Sequence, residues 1–219
     1  IALSDVPFSR RRAGVTALGR DRIGVVFLTH LHSDHTIGLP DVIHTGWVMG
    51  RETPLKVFGP KGTRDMTLQL QEAWRLDVRI RSDGLQPHTA NGWQVESRDV
   101  WEGVVYQDSN VTVTAFPVLH TPEATALRVT VSGKTIAYSG DTGWTDTLVE
   151  VAADADLFIC QAYTIDVPQQ RLLNYHTLQE HRDQLTCKRL VLTHIGAQMQ
   201  NRLAEVTEEV AGDGLVISL

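Results

Sequence analysis

The segment Thr29-His30-Leu31-His32-Ser33-Asp34-His35 constrains this chain more than any other. Three histidines and one aspartate fall within six residues, straight after the apolar run Ile23 to Leu28. That run is short and rich in β-branched residues, the pattern of a buried strand. A strand that ends in imidazoles and a carboxylate predicts a metal site at the strand's C-terminal edge. Imidazole nitrogen and carboxylate oxygen suit zinc, and also iron or manganese. The cluster contains no thiolate, which excludes an all-cysteine structural zinc site. A solvated histidine-bearing loop is the bland alternative. It leaves unexplained why further ligand-type residues recur along the chain.

The 219 residues fit a single domain, 1–219, with a sizeable core. Hydrophobic residues make up 42% and charged residues 21%, as in ordinary globular chains. The formal charge of −6 argues against a non-specific nucleic-acid binder, which is usually basic. Cys160 and Cys187 form neither a disulfide framework nor a Cys-x-x-Cys knuckle, so a reducing, cytoplasmic location is expected. No apolar run approaches membrane-spanning length, so no membrane partner is expected. No signal peptide is visible, and the chain opens on Ile1 rather than Met.

Along the chain, Ser9-Arg10-Arg11-Arg12 is a basic cluster read as a solvated helix start. Ile37, Leu39, Val42, Ile43 and Trp47 space as one face of a short helix. Pro54 to Gly59 reads as a strand closed by a Gly-Pro turn. Gly62 to Val78 reads as a covering helix with Trp74 in the core, and 82–103 as loop with one short strand, His88 being a surface histidine. Two hairpins follow: Val104 to Leu119, turning at Asp108-Ser109-Asn110, and Ala126 to Tyr138, turning at Ser132-Gly133-Lys134. Thr147 to Ala153 is helical and Asp156 to Cys160 a strand. His176 to Leu185 is a helix with Asn174 and Thr177 as candidate caps. Arg189 to Thr193 is a strand, Gln198 to Ala211 a helix, and Leu215 to Leu219 a last strand. Aromatics from Trp47, Trp101 to Tyr106 and Tyr163 to Tyr175 are candidate pocket walls, although core or surface is the default for each.

Four separate apolar strands end near His30, His120, Asp141 and His194. Strands packed side by side bring such ends to one edge, where sites of layered α/β proteins form. With these residues in view, the chain resembles the metallo-β-lactamase-fold hydrolases. The signature is His30-x-His32-x-Asp34-His35, followed by His120, Asp141 in Ser-Gly-Asp-Thr, and His194 in Leu-Thr-His. Gly38-Leu39-Pro40, Pro54 to Pro60, and Tyr138 to Thr142 resemble the ribonuclease Z-like branch. The resemblance implies an α/β fold, the four-layer αββα sandwich, and a two-metal site. By it, His30, His32 and His120 hold one ion; Asp34, His35 and His194 hold the other; Asp141 bridges them. The ions are expected to be Zn2+, with Mn2+ or Fe2+ as alternatives. Asp34 is a candidate to orient or deprotonate the nucleophile, and His176 to protonate the leaving group.

Three departures from the branch qualify the expectation. A Glu-Ala-Thr-type motif is replaced by Gln161-Ala162-Tyr163, and glutamine can orient His176 but not stabilise its imidazolium by charge. Only twenty residues separate His120 from Asp141, too few for the arm with which the branch grips transfer RNA. Only 29 residues precede His30, so the fold's opening strands are expected to be shortened or missing. The resulting expectation is a two-zinc hydrolase of a small-molecule or flexible phosphodiester, with transfer RNA disfavoured and a homodimer allowed. The alternatives are a lactone or carboxylic-ester hydrolase, a mono-iron sulfur dioxygenase, and a non-catalytic metal site.

Overall fold

The computed structural model describes residues 2–3, 19–85 and 89–219. The Ser9-to-Arg12 cluster and His88 lie outside the described residues. The chain forms two compact units, 1–100 and 101–219.

The first unit is built on a parallel sheet of β1 (Ala2–Leu3), β2 (Val25–Phe27), β3 (Leu55–Gly59) and β4 (Val95–Asp99), in that order. Parallel neighbours need crossovers, and helices supply them. Between β2 and β3 run α1 (Ser33–Thr36) and α2 (Leu39–Val48); between β3 and β4 run α3 (Thr63–Ala73) and α4 (Arg75–Ile80). The apolar face of α2 is Leu39, Val42, Ile43 and Trp47, all buried. Leu39, Val42 and Ile43 close a core with Val26, Leu28, Leu55 and Val57. Each such side chain contributes roughly 1.5–3 kcal/mol by leaving water. Ile37, expected on that face, precedes the helix and is exposed.

Two side chains terminate these elements. Asp99, at the end of β4, accepts from the backbone N–H of Arg64 at 2.9 Å and so caps the first turn of α3. Arg51 is buried and donates to the carbonyls of Val42, Ile43 and Gly92 at 2.8, 2.6 and 2.9 Å. It thereby ties two carbonyls of α2, as second acceptor bonds beside their helical ones, to the carbonyl of Gly92 ahead of β4. The predicted helix over 62–78 breaks at Trp74, whose backbone (φ −101°, ψ 10°) leaves the helical region. Trp74 is not a core residue: it is 41% exposed and stacks on His44.

The second unit carries a seven-stranded sheet in the order β11, β10, β9, β8, β7, β6, β5. Its strands are β5 (Gly103–Gln107), β6 (Val111–Pro117), β7 (Thr125–Val131), β8 (Lys134–Tyr138), β9 (Leu157–Gln161), β10 (Leu190–Thr193) and β11 (Glu209–Val210). The strands β5 to β8 are antiparallel hairpins, and β8 to β11 are parallel. The first hairpin turns where Asp108 accepts from the N–H groups of Asn110 and Val111 at 2.7 and 2.8 Å, a side-chain substitute for a backbone turn. The core gathers α5 (Thr147–Ala152) and α6 (Tyr175–Glu180) around Ala137, Phe158, Leu173 and Leu192. Asn174 caps α6 by accepting from Thr177 N at 2.8 Å. Cys160 and Cys187 are buried free thiols, and burial pushes Cys160 up to about 12, which makes it an inert core residue.

Two expectations fail at the C-terminus. The helix predicted over 198–211 is only α7 (Ala197–Gln200). Beyond it, β11 pairs with β10, and Ala211 N donates to Leu192 O at 2.8 Å. Pairing the open edge of β10 outweighs the helical spacing of the segment. No strand forms over 215–219.

Candidate metal centre

In the first unit, β2 runs into Thr29 and His30, both buried. The Thr29 hydroxyl lies 3.2 Å from His30 Nδ1 and sets the orientation of that ring. His32 precedes α1, and its carbonyl accepts from His35 N and Thr36 N at 3.1 and 3.2 Å. This single tight turn is why ligands so close in sequence gather in space. The His30 ring centroid lies 4.8 Å from that of His32 and 4.5 Å from that of His35. The exposed carboxylate of Asp34 is 3.4 Å from His35 Nε2.

In the second unit, Asp141 is buried in the turn after β8. His120 Nε2 and His194 Nε2 approach its Oδ2 at 3.9 and 3.4 Å. Three devices hold this arrangement. Leu119 N donates to the Thr142 hydroxyl at 3.1 Å, and Gly143 N to Leu119 O at 2.8 Å, which stitches the His120 loop to the Asp141 turn. His120 Nδ1 lies 3.0 Å from Arg171 O, while the Arg171 guanidinium returns to His120 O at 2.7 Å. His194 ends β10 in a left-handed backbone (φ 55°), a conformation typical of constrained functional positions. Just beyond, Gly196 is required: a Cβ there would meet Tyr163 O at 2.6 Å.

Gln161 does not orient His176. Its amide oxygen accepts from Thr142 N and Leu173 N at 3.3 and 3.2 Å, and its Nε2 donates to Leu173 O at 3.2 Å. It is a buried backbone brace beside the Asp141 turn, a role that needs no charge. His176 is exposed on α6 and acts electrostatically on Asp166. Of the expected pocket aromatics, Trp47 is buried core, while the Tyr163 ring lies 5.4 Å from that of His194. Thr29, Thr142 and Arg171 support the candidate ligands. The first two lie inside the motifs but were given no role there, whereas Arg171 carries no sequence signal.

The donor set fits divalent ions. Each of the two clusters, taken by itself, holds imidazole nitrogens and a carboxylate, with no thiolate, the chemistry of zinc and related metals. The Nδ1 contacts of His30 and His120 match the outer arrangement usual for histidines that bind a metal through the opposite ring nitrogen.

Comparison with known proteins decides the family. The family described as the β-lactamase superfamily domain matches residues 5–195, across both units. The chain belongs to that family. Ribonuclease Z of Mycobacterium sp. (strain KMS) is 33% identical over 198 residues, covering 83% of this chain and 68% of the relative. Human tRNase Z, short form, has a TM-score of 0.73 at 23% identity over 94% of this chain and 83% of its own. A diphosphatase of the PhnP family has a TM-score of 0.74 at 18% identity over 99% of this chain and 79% of its own. These two likenesses establish the metallo-β-lactamase fold, and the relatives place the chain in the ribonuclease Z-like branch as a metal-dependent hydrolase. They also overturn the expectation against transfer RNA, since the relatives are themselves named ribonuclease Z and tRNase Z. The hairpin of β7 and β8 does fill the interval from His120 to Asp141. The error was to infer the substrate class from one missing segment between His120 and Asp141. Among the described residues, no helix is long and apolar enough to cross a membrane.

Proposed function

We propose that this hydrolase cleaves RNA-type phosphodiesters, transfer RNA among them. The observation that carries the reading is the 33% identity to ribonuclease Z over 198 residues. In this reading His30, His32 and His120 hold one divalent ion, Asp34, His35 and His194 hold a second, and Asp141 is shared. Zn2+ suits the ligand set best. When bound, the ions supply a nucleophilic hydroxide near neutral pH and positive charge for the phosphoryl oxygens. The protein's part is orientation. Thr29 and Arg171 fix the His30 and His120 rings, and the stitched loop from Leu119 to Gly143 holds His120 against Asp141. Asp34, exposed beside His35, would orient or deprotonate the nucleophile in this scheme.

The zinc-loaded protein is expected to cleave a precursor transfer RNA and, more slowly, bis(p-nitrophenyl) phosphate. Both activities should vanish with chelator and in His32→Ala. Turnover of acyl lactones by the same preparation, with no cleavage of either phosphodiester, would move the assignment to ester hydrolysis.

In this reading His176 protonates the leaving oxygen, and its exposure on α6 leaves it accessible to a substrate. Positioned general acids contribute roughly 10²–10⁴-fold. His176→Ala should therefore lose about a hundredfold or more on RNA. It should lose far less on bis(p-nitrophenyl) phosphate, whose leaving group needs no proton. Equal losses on both substrates would remove His176 from the proton path.

A further inference from the structure

The first unit holds a cleft of about 600 Å3 that the metal ligands do not occupy, lined by Ser33, Thr36, Pro40, His44, Leu70 and Trp74 among others. Its size falls within the roughly 300–1,000 Å3 of small-molecule sites. His44 on its wall is 7% exposed, and neither ring nitrogen has a hydrogen-bonding partner in the protein. Buried polar groups without partners are rare in native proteins and call for an explanation. The Trp74 ring covers the imidazole at 5.4 Å and 27°, yet remains 41% exposed. Ser33 and Thr36 are the first and last residues of α1, which also carries Asp34 and His35. The cleft is thus continuous with the metal-binding turn.

We propose that this cleft is a nucleobase subsite, in which a base of the substrate strand takes the place of the Trp74 ring over His44, stacks on the indole and presents its polar edge to the imidazole. The ligand's identity rests on the RNA reading above; the cleft and its buried imidazole do not. Every base offers a π-face for an exposed indole, so stacking is tolerant of sequence. Burial lowers the His44 pKa, and a neutral imidazole offers one donor and one acceptor. A base edge presents both kinds of group side by side. An apolar helix of a second protein copy would offer those nitrogens no partner even with the indole displaced, which favours the base as occupant.

The test is equilibrium binding of the four nucleoside 5′-monophosphates to the intact protein, with ribose 5-phosphate as the base-free control. The nucleotides should bind about tenfold tighter than the control. Trp74→Ala and His44→Phe should each erase that difference. Because Trp74 is half-exposed, its replacement keeps the fold, which circular dichroism verifies. Nucleotides and ribose 5-phosphate binding equally, or both variants retaining the difference, would overturn the subsite. So would a dimer that Trp74→Ala dissociates without any base-dependent binding, an outcome that assigns the cleft to a second copy. The readout is independent of cleavage. Base-dependent binding by a protein that cuts no RNA refutes the functional reading alone, and RNA cleavage without base-dependent binding refutes the subsite alone.

Discussion

Asp141→Asn is expected to lower turnover roughly a thousandfold while leaving the metal-free fold intact. Charge stabilisation at a metal site amounts to several kcal/mol, and each 1.36 kcal/mol is tenfold in rate, so about 4 kcal/mol corresponds to that loss. The carboxylate is buried, with His120 Nε2 and His194 Nε2 at 3.9 and 3.4 Å from one oxygen. Asparagine keeps the volume and one oxygen but not the charge. Elemental analysis should find the wild-type protein with about two ions per chain and the variant with fewer. A ligand that binds only the folded state stabilises it by about 2.7 kcal/mol at a hundred times its Kd. The wild type should therefore melt higher when loaded with zinc, and the variant should lose most of that increment. A variant that keeps full turnover would exclude Asp141 from the centre. One that loses its metal-dependent melting shift, from a wild type that turns over no substrate, would point to a structural site.

Arg51→Ala is expected to cost about 3 kcal/mol of stability with no contact to any metal ligand. Hydrogen bonds to charged groups contribute about 1.5–3 kcal/mol each, and leaving buried acceptors unsatisfied is the costlier half of the change. Here one guanidinium serves the carbonyls of Val42, Ile43 and Gly92. Burial lowers its pKa to about 10, so it stays charged at neutral pH. For a chain of this size, a loss of 3 kcal/mol lowers Tm by roughly 6–12 °C. Arg51→Lys should recover little, because an ammonium cannot span three carbonyls in a fixed fork. A shift below 2 °C for Arg51→Ala would show that water replaces the guanidinium without penalty.

Much of the candidate site was legible because its residues cluster by local geometry. His30, His32, Asp34 and His35 share one strand end and one helical turn, so their spacing alone announces them. His120, Asp141 and His194 were legible as strand ends, since the apolar runs before them are short and unambiguous. What supports them was not legible. Arg171 grips His120 from a segment 51 residues away, through a backbone carbonyl that every residue possesses. Gln161 looked like a weakened catalytic position and is a brace, because its amide can donate and accept at once where a carboxylate can only accept.

The same division holds for the fold. Alternation and turn chemistry determine the hairpins, and Asp108 shows why: its carboxylate folds the turn with its own neighbours. Periodicity determines that α2 buries one face. Periodicity does not decide where a segment finds its partners. Helical spacing over 198–211 yields to an open sheet edge, and Trp74, on the apolar stripe of the predicted helix, ends up at a break between two helices, lining a cleft beside His44. By itself the sequence determined the hydrolase family and the strand ends that carry the candidate ligands. Only the tertiary structure decided which arginine is buried, which histidine is left with unmatched ring nitrogens, and which backbone groups hold the ligands. Those are outcomes of contacts distant in sequence, and such contacts leave no local pattern.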